Sequence, residues 1–499
     1  MNKFKAKQIF ITNLILFNVS GYLWINFDLT LCLYLFILSG IFFTIILYDM
    51  FQTKHSLLRN YPLLGRLRWV FEHERSKIQQ YFIEDDKNGT PFNREKRSDI
   101  YQKSKNALNT VPFGTQLDVY KDGYEFIGHS MFPIAVDAVE IDRVEIGSKF
   151  CQVPYSASRF NVSAMSFGAL SKTAVESINL GAKKGGFFQN TGEGGLSEYH
   201  LRGGDVCFQF GTGYFGAGKT INLERRFDDT SFITNVMRPE VKMVEIKMSQ
   251  GAKPGHGGIL PASKNSEEIA KIRGIEPFTA VYSPPYHSAF HNNEELLKFI
   301  RHVRFLSVGK PVGIKMCIGD VYEFRSLIKL MREKDIYPDF ITIDGGEGGT
   351  GAAPLTFSNH VGMPLVDAFM KADEILKDFG LRSEIKIIAS GKISSSFDIL
   401  KYLALGADMV NAARAFMLSL GCIQARECNN NSCPVGIATQ DEWLNRAIVP
   451  SLKSERVYNY HKNTLHEVQE LMAAMGVKHI DDLRKSHIKI RKGSEIKNY

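Results

Sequence analysis

Apolar positions follow two regimes along this chain. Near the N-terminus they are continuous: residues 8–25 and 29–48 form two runs without a formal charge, separated by Asn26, Phe27 and Asp28. A spanning helix needs roughly 20 apolar residues, so the pair predicts a transmembrane helical hairpin within residues 1–55. Lys3, Lys5 and Lys7 precede it and Lys54, Arg59, Arg66 and Arg68 follow it, which by the positive-inside rule puts both ends, and the bulk of the chain, in the cytoplasm. A cleaved signal peptide is the competing reading, but no alanine occurs between Ala6 and Ala107 and a second apolar run follows at once. A core hairpin of a soluble protein is disfavoured because both runs are so thoroughly uncharged.

From about residue 158 the pattern changes to short apolar runs alternating with helical periodicity, the rhythm of parallel βα units. Strands are predicted at 160–163, 187–190, 243–248, 279–283, 312–317, 340–343, 385–389 and 409–412, with helices at 172–184, 294–305, 321–333 and 398–405. Eight such strands predict a TIM (β/α)8 barrel over residues 151–445. Residues 191–242 are then expected to be an insertion on the catalytic face or a lid. Residues 56–150 are assigned to an extension packing on the barrel, and 446–499 to a helical tail. Within the extension, 84–89 reads as a loop and 91–97 as a solvated, charged strip.

Composition narrows the chemistry. At 499 residues and 44% hydrophobic, the chain can bury a large core. Its net charge of +8 is modest, and no basic block interleaved with aromatics occurs, so nucleic acid is not an expected partner. Four of the seven cysteines, Cys32, Cys151, Cys207 and Cys317, are scattered in apolar contexts, as expected of buried thiols in a reducing compartment.

In such barrels the reactive groups sit at the C-terminal ends of the strands. The first predicted strand is followed by Met165-Ser166-Phe167-Gly168-Ala169-Leu170-Ser171, whose small residues and backbone amides suit a flat flavin ring, with Ser171 also placed to cap the next helix. After the second comes Asn190-Thr191-Gly192-Glu193-Gly194-Gly195, a glycine loop carrying one carboxylate. The third ends at Lys247 and runs into Gln250-Gly251-Ala252-Lys253-Pro254-Gly255, and the fifth carries Lys315. Lysines at apolar strand ends call for nearby anions. Asp344-Gly345-Gly346-Glu347-Gly348-Gly349 after the sixth strand reads as a flavin-facing loop. Gly391-Lys392 and Ala413-Arg414 end the last two strands, where glycine turns and a helix N-terminus hold a cofactor phosphate. Beyond them Cys422, Cys428 and Cys433 follow C-x5-C-x4-C-P spacing, wrong for a zinc ribbon but suited to an iron-sulfur cluster.

The cysteine loop, closing Asn431-Ser432-Cys433-Pro434-Val435-Gly436-Ile437-Ala438-Thr439-Gln440, resembles that of glutamate synthases. Six further motifs agree in order, among them Gln209-Phe210-Gly211-Thr212-Gly213 and Ser283-Pro284-Pro285. The likeness runs from about residue 150 to 445. It implies an FMN-binding barrel with a 3Fe-4S cluster on Cys422, Cys428 and Cys433. It further implies that 2-oxoglutarate and ammonia condense to 2-iminoglutarate, which reduced flavin converts to glutamate. By resemblance, Glu193, Lys247 and Lys253 are the catalytic groups, and Lys253 and Arg273 hold the keto-acid carboxylates, although Arg273 on its own reads equally well as a surface residue. Ser166, Gly168, Gln209, Lys315, Asp344, Gly345, Gly346, Gly391, Lys392, Ala413 and Arg414 are the implied flavin contacts.

Two departures bear on the substrate: Ile259 stands where the resemblance leads one to expect glutamine, and His256 where it leads one to expect glutamate. The chain is expected to carry no amidotransferase domain and no Rossmann fingerprint. Ammonia would then be free or come from a separate glutaminase subunit, and electrons from ferredoxin or an NAD(P)H-oxidising subunit. Two alternatives stand beside this reading: a related barrel acting in methylamine–glutamate group transfer, and a non-catalytic membrane electron-transfer component.

Overall fold

Eight short parallel strands close into a barrel in the computed structural model, which describes residues 4–499 except 223. They are β1 (Phe160–Val162), β2 (Gln189–Asn190), β3 (Val206–Phe210), β4 (Val241–Lys247), β5 (Val312–Met316), β6 (Phe340–Asp344), β7 (Lys386–Ser390) and β8 (Met409–Ala412). Each pairs with its sequence neighbours, and β8 returns to β1 through Val410 opposite Phe160. This is a TIM barrel.

One strand differs from the sequence expectation. Residues 279–283 do not enter the barrel: Val281–Tyr282 pairs antiparallel with Ile259–Leu260. The missing stave comes from inside the expected insertion, where Val-Cys-Phe-Gln-Phe of β3 is buried along its whole length. Residues 191–242 therefore contain a barrel strand, a surface hairpin of Gly218–Ile221 and Glu224–Phe227, and the helix Asp229–Val236. Lys247 ends the fourth strand, not the third. Lys315 keeps its place on the fifth because one strand was missed and one added before it.

Side chains alternate across each strand, so every second residue of the barrel points inward. Gly313 is one such inward position, and a Cβ there would come within 2.3 Å of the Phe340 ring. At the N-terminal end, the antiparallel pair Val144–Ile146 and Tyr155–Ala157 packs on Phe188, Met243, Phe340, Ile388 and Met409 and plugs the barrel. The helix Lys172–Gly185 starts on Ser171, whose side chain accepts from the amide of Ala174, and packs against the long helix Pro450–Met475. Gly181 permits that close approach, since a Cβ there would lie 2.5 Å from Val457. The tail then ends in two strands, Ile488–Lys492 and Glu495–Asn498, and the first pairs with Glu125–Ile127.

The chain divides into two compact units, Met1–Gly89 and Thr90–Tyr499. The first holds two helices, Phe4–Phe27 and Thr30–Phe51, long and apolar enough to cross a membrane. They run antiparallel, with Phe10 beside Phe43 and Phe17 stacked on Phe36 at 4.5 Å. Gly21 faces Phe36 and Gly40 faces Phe17, so each glycine makes room for an aromatic ring of the other helix. Lys3, one of the residues used to orient the hairpin, lies outside the described residues.

Candidate active site

Climbing the barrel interior, apolar residues give way to polar ones. In the middle, the fully buried carboxylate of Glu245 accepts from Asn190 Nδ2 at 2.7 Å, Gln209 Nε2 at 2.5 Å and Thr342 Oγ1 at 2.5 Å. Three donors on three strands satisfy the charge and tie β2, β3, β4 and β6 together. One inward step higher lie Lys247, Lys315, Asp344 and Ser390. Lys315 Nζ is 3.5 Å from Asp344 Oδ2, and the other oxygen of Asp344 accepts from Ser390 Oγ at 2.7 Å. Lys247 Nζ donates to Glu193 Oε1 at 2.6 Å.

These groups floor a cavity of about 700 Å³, within the usual size range of small-molecule and cofactor sites. Of the residues singled out from the sequence, the cavity brings together Ser166, Glu193, Gln209, Lys247, Lys315, Asp344, Gly391, Lys392, Ala413, Arg414 and all three loop cysteines. Gly168, Gly345 and Gly346 are not in its wall; their place is in backbone packing. A Cβ on Gly168 would sit 2.9 Å from Arg273 Nη2, and one on Gly346 would lie 2.6 Å from the carbonyl of Gly362.

A smaller chamber of about 90 Å³ opens beside it and shares Ser166, Glu193, Gln250 and Thr350 with the larger cavity. Lys253 and Arg273 face it, and both are buried. Arg273 closes the helix Glu267–Arg273 and is thus not a surface residue. Its Nη2 donates to the carbonyl of Phe167 at 3.0 Å, its guanidinium lies 5.0 Å from the Phe215 ring, and its Nε has no partner. Lys253 Nζ donates to the carbonyls of Gly257 at 2.7 Å and Ala352 at 3.0 Å, leaving one of its three ammonium protons unassigned. Ile259 lines the chamber; His256 does not, its Nδ1 lying 2.9 Å from the carbonyl of Gly257 and its ring against Phe357.

Electrostatics couple the two spaces. Burial alone would raise the carboxyl of Glu193, but the Lys247 ammonium, helped by Lys253 and Arg273, outweighs it and holds the group below its ordinary range. Burial pushes Lys253 down to about 8 and Arg273 to about 10, each against the opposing pull of Glu193. On the far side of the large cavity, burial also lowers Lys392 and Arg414, and their proximity to one another deepens the effect on Lys392. Two cations on one wall, Arg414 partly buried and Lys392 more exposed, suit a doubly charged anion.

The cysteine loop forms another wall. The Cys422 thiol is pushed up to about 12 by burial, with Cys428 and Cys433 close enough to add to the effect. Lys264, also buried, donates to the carbonyls of Cys428 and Ala438, each at 2.7 Å. Among the described residues, no group of three or more His, Cys, Asp or Glu side chains is arranged to hold a metal ion.

Sequence reasoning missed several lining groups. Ser163, Ser390 and Asn411 are inward residues at strand ends, which period-2 counting along β1, β7 and β8 could have found. Pro91 and Phe92 were expected in a solvated strip; instead Phe92 is buried, lines the cavity and lies 5.0 Å beneath the Arg414 guanidinium, while Arg97 is buried on the helix Arg94–Ser104. No local signal marks that long-range contact.

Residues 101–478 match the family model described as a conserved region in glutamate synthase. The glutamate synthase large subunit-like protein YerD of Bacillus subtilis is 37% identical over 88% of this chain and 91% of its own length. The archaeal glutamate synthase (NADPH) of Methanocaldococcus jannaschii is 35% identical over 71% of this chain and 66% of its own. Among solved structures, the flavin-binding domain of baker's yeast flavocytochrome b2 aligns at 13% identity over 84% of this chain and 85% of that one, with a TM-score of 0.45.

Proposed function

Because this chain belongs to the glutamate synthase family of oxidoreductases, we propose that it makes glutamate by reductive amination of 2-oxoglutarate, using ammonia supplied from outside. The observation that carries this reading is the small chamber, where two buried cations, Lys253 and Arg273, stand beside the ionised Glu193 and open onto the larger cavity. A dicarboxylate needs a cation at each end, and buried cations are retained where an anion repays their desolvation. Arg273 takes one carboxylate through its unpartnered Nε, and Lys253 takes the other through its remaining proton.

The carbonyl carbon of the keto acid then faces the Glu193–Lys247 pair. Glu193 Oε2 orients ammonia by accepting an N–H and takes the proton released as the new C–N bond forms. Lys247 Nζ protonates the carbonyl oxygen in the same step, giving a neutral carbinolamine. The protonated Glu193 then gives its proton to the hydroxyl, which leaves as water, while the neutral Lys247 amine takes a second N–H proton. In this way 2-iminoglutarate forms and both groups return to their starting charge. The buried, water-poor floor keeps the imine from hydrolysing.

The large cavity fits FMN: Lys392 and Arg414 offer two cations for the phosphate, and Ser166, Gln209, Lys315 and Asp344 line the remainder. When bound there, FMN supplies the hydride that reduces the imine. Cys422, Cys428 and Cys433 would hold a 3Fe-4S cluster, whose thiolate ligands are spread around several irons and need not converge on one ion. It would pass single electrons from a partner protein. The two N-terminal helices would form a membrane hairpin with the barrel on the cytoplasmic side.

The test is to add 2-oxoglutarate and ammonium to the dithionite-reduced protein, purified anaerobically in detergent. Flavin reoxidation with stoichiometric glutamate supports the reading; bound flavin that stays reduced rules it out. Ile259 favours a second reading, since with Leu260 and Val281 it makes part of the chamber wall apolar, which suits an N-methyl group. Under that reading methylamine replaces ammonium, and N-methylglutamate is formed in preference to glutamate.

A further inference from the structure

The helix that follows the apolar hairpin presents an apolar stripe edged by cations. Over Arg66–Ile78, at about 100° per residue, Leu67, Val70, Phe71 and Ile78 fall on one face, and Leu67, Val70 and Phe71 are 50%, 55% and 61% exposed. The same spacing puts Arg66 and Lys77 along one edge of that face and Arg68 and Arg75 along the other. Ser76, Glu72 and Gln79 lie opposite, together with Trp69, whose ring packs edge-on against His55 at 5.3 Å. The single acid within the apolar face, Glu74, carries its own counter-ion, with Lys77 Nζ at 2.8 Å. A π-helical turn, Gln79–Ile83, continues the element and exposes Tyr81, Phe82 and Ile83.

Two features say what this face meets. Between residues 52 and 78 there are six Lys and Arg and two Glu, and with Arg66 neutralised by Asp49 the segment still carries an excess of positive charge that is complementary to a negative surface. The helix is also fixed to the end of the hairpin. Arg66 Nε donates to Asp49 Oδ2 at 3.0 Å and its Nη2 to Oδ1 at 2.5 Å, and the amide of Leu63 donates to Oδ2 at 3.0 Å. Asp49 is fully buried in the last turn of the second apolar helix, so the helix begins where the apolar span ends.

We propose that Arg66–Ile83 lies flat in an anionic bilayer surface, its apolar face among the acyl chains and its flanking Arg68, Arg75 and Lys77 at the phosphates, while Arg66 stays with Asp49. The proposal rests on the membrane-hairpin reading above and adds a second, electrostatic contact to it. Long basic side chains flanking an apolar stripe can reach up to headgroups while their stems stay in the apolar layer. Juxtamembrane cations on the cytoplasmic side are attracted to an anionic leaflet over about a Debye length from its surface.

The experiment uses the full chain in vesicles of phosphatidylcholine and phosphatidylglycerol containing brominated phosphatidylcholine. The native tryptophans Trp24, Trp69 and Trp443 are replaced by phenylalanine, and one reporter is introduced, Phe71→Trp on the apolar face or Ser76→Trp opposite. Lipid bromines should quench Phe71→Trp at least about twofold more than Ser76→Trp, with acrylamide showing the reverse order, and omitting phosphatidylglycerol should weaken the lipid quenching. Equal quenching of the two reporters, or no effect of the anionic lipid, overturns the proposal. So does a Phe71→Trp reporter shielded from both quenchers, which would mean that protein covers the face. A companion protein retaining only Trp24 reads the hairpin separately. Quenching of Trp24 by lipid without quenching of Phe71→Trp removes the surface helix alone, whereas the opposite pattern removes the hairpin and leaves the surface helix standing.

Discussion

Lys247 Nζ, at the end of β4, donates to Glu193 Oε1, in the loop after β2, across 2.6 Å. The two groups reach one another over the barrel mouth, and Gly211 makes room for them, since a Cβ there would lie 2.5 Å from Glu193 Oε2. The lysine offsets the cost of burying the acid, which is why the acid is ionised in a place that would otherwise protonate it.

That relationship predicts distinct behaviour for two variants. Glu193→Gln should lower kcat for glutamate formation by about 10²–10⁴-fold, the usual range for a lost general base, with little change in KM for the keto acid. Lys247→Met should act through pH as well. Glu193 has its folded value depressed, so in the intact protein its charge is lost only when the pH falls below the ordinary carboxylate range. Without the lysine, the upward push of burial is less opposed and the acid limb of the pH–rate profile moves to higher pH. A limb that stays in place in Lys247→Met would show that Glu193 is not the titrating group.

A second prediction follows from Lys253, which burial brings down to about 8. Its charge is present below that value and lost above it, so a dicarboxylate bound through it should weaken as the solution becomes alkaline. We expect KM for 2-oxoglutarate to rise about tenfold per pH unit above the transition, with kcat changing much less. Lys253→Arg should keep the charge and push the transition to higher pH. A KM independent of pH from 7 to 9.5 would remove Lys253 from the carboxylate site.

Much of the site was legible because strand ends and glycine loops concentrate unusual residues in short stretches. Glu193, Lys247, Lys315, Asp344 and Arg414 are all charges beside apolar runs or glycines, and all line one cavity. The strands were harder. Residues 279–283 look like a strand by composition, but Ser283-Pro284-Pro285 stops the run, and the segment pairs with Ile259–Leu260 outside the barrel. Residues 206–210 are only five long and carry Gln209, yet that polar residue is explained by Glu245, to which it donates inside the barrel. That partner is 36 residues away, beyond the reach of a local pattern. Phe92 reaches the cavity from a charge-rich segment across more than 300 residues, a contact that no local pattern encodes.

The cysteine loop gives a third test. Cys428→Ser should abolish the proposed iron content and cluster absorbance while leaving bound flavin near its normal level, since the proposed phosphate ligands Lys392 and Arg414 lie on another wall. Electron entry from a protein donor should fail, whereas dithionite, which can reduce flavin directly, should still support a single turnover. Unchanged iron content in this variant would exclude the loop as the ligand set.

The last prediction concerns stability and comes from the seam between barrel and tail. His461, on the helix Pro450–Met475, stacks on Phe187 with ring centroids 4.1 Å apart, and its Nε2 lies 3.0 Å from the carbonyl of Phe160 and 3.1 Å from Ser158 Oγ. Burial drives it down to about 3, the Phe160 carbonyl opposing and Arg143 assisting. The unfolded chain therefore binds this proton more readily than the folded one. The folded state has its full advantage above the unfolded value near 6.5 and loses it as the pH falls toward 3. At pH 5 the loss is about 2 kcal/mol from this residue alone. His200, buried with its Nε2 unpartnered and likewise held near 3, adds a contribution of the same sign. The thermal midpoint of the barrel should drop between pH 7 and pH 5, and His461→Gln, which keeps hydrogen-bonding capacity without a titrating ring, should flatten that dependence. An equally steep fall in His461→Gln would mean that the seam stays neutral for another reason and that other groups set the acid limit.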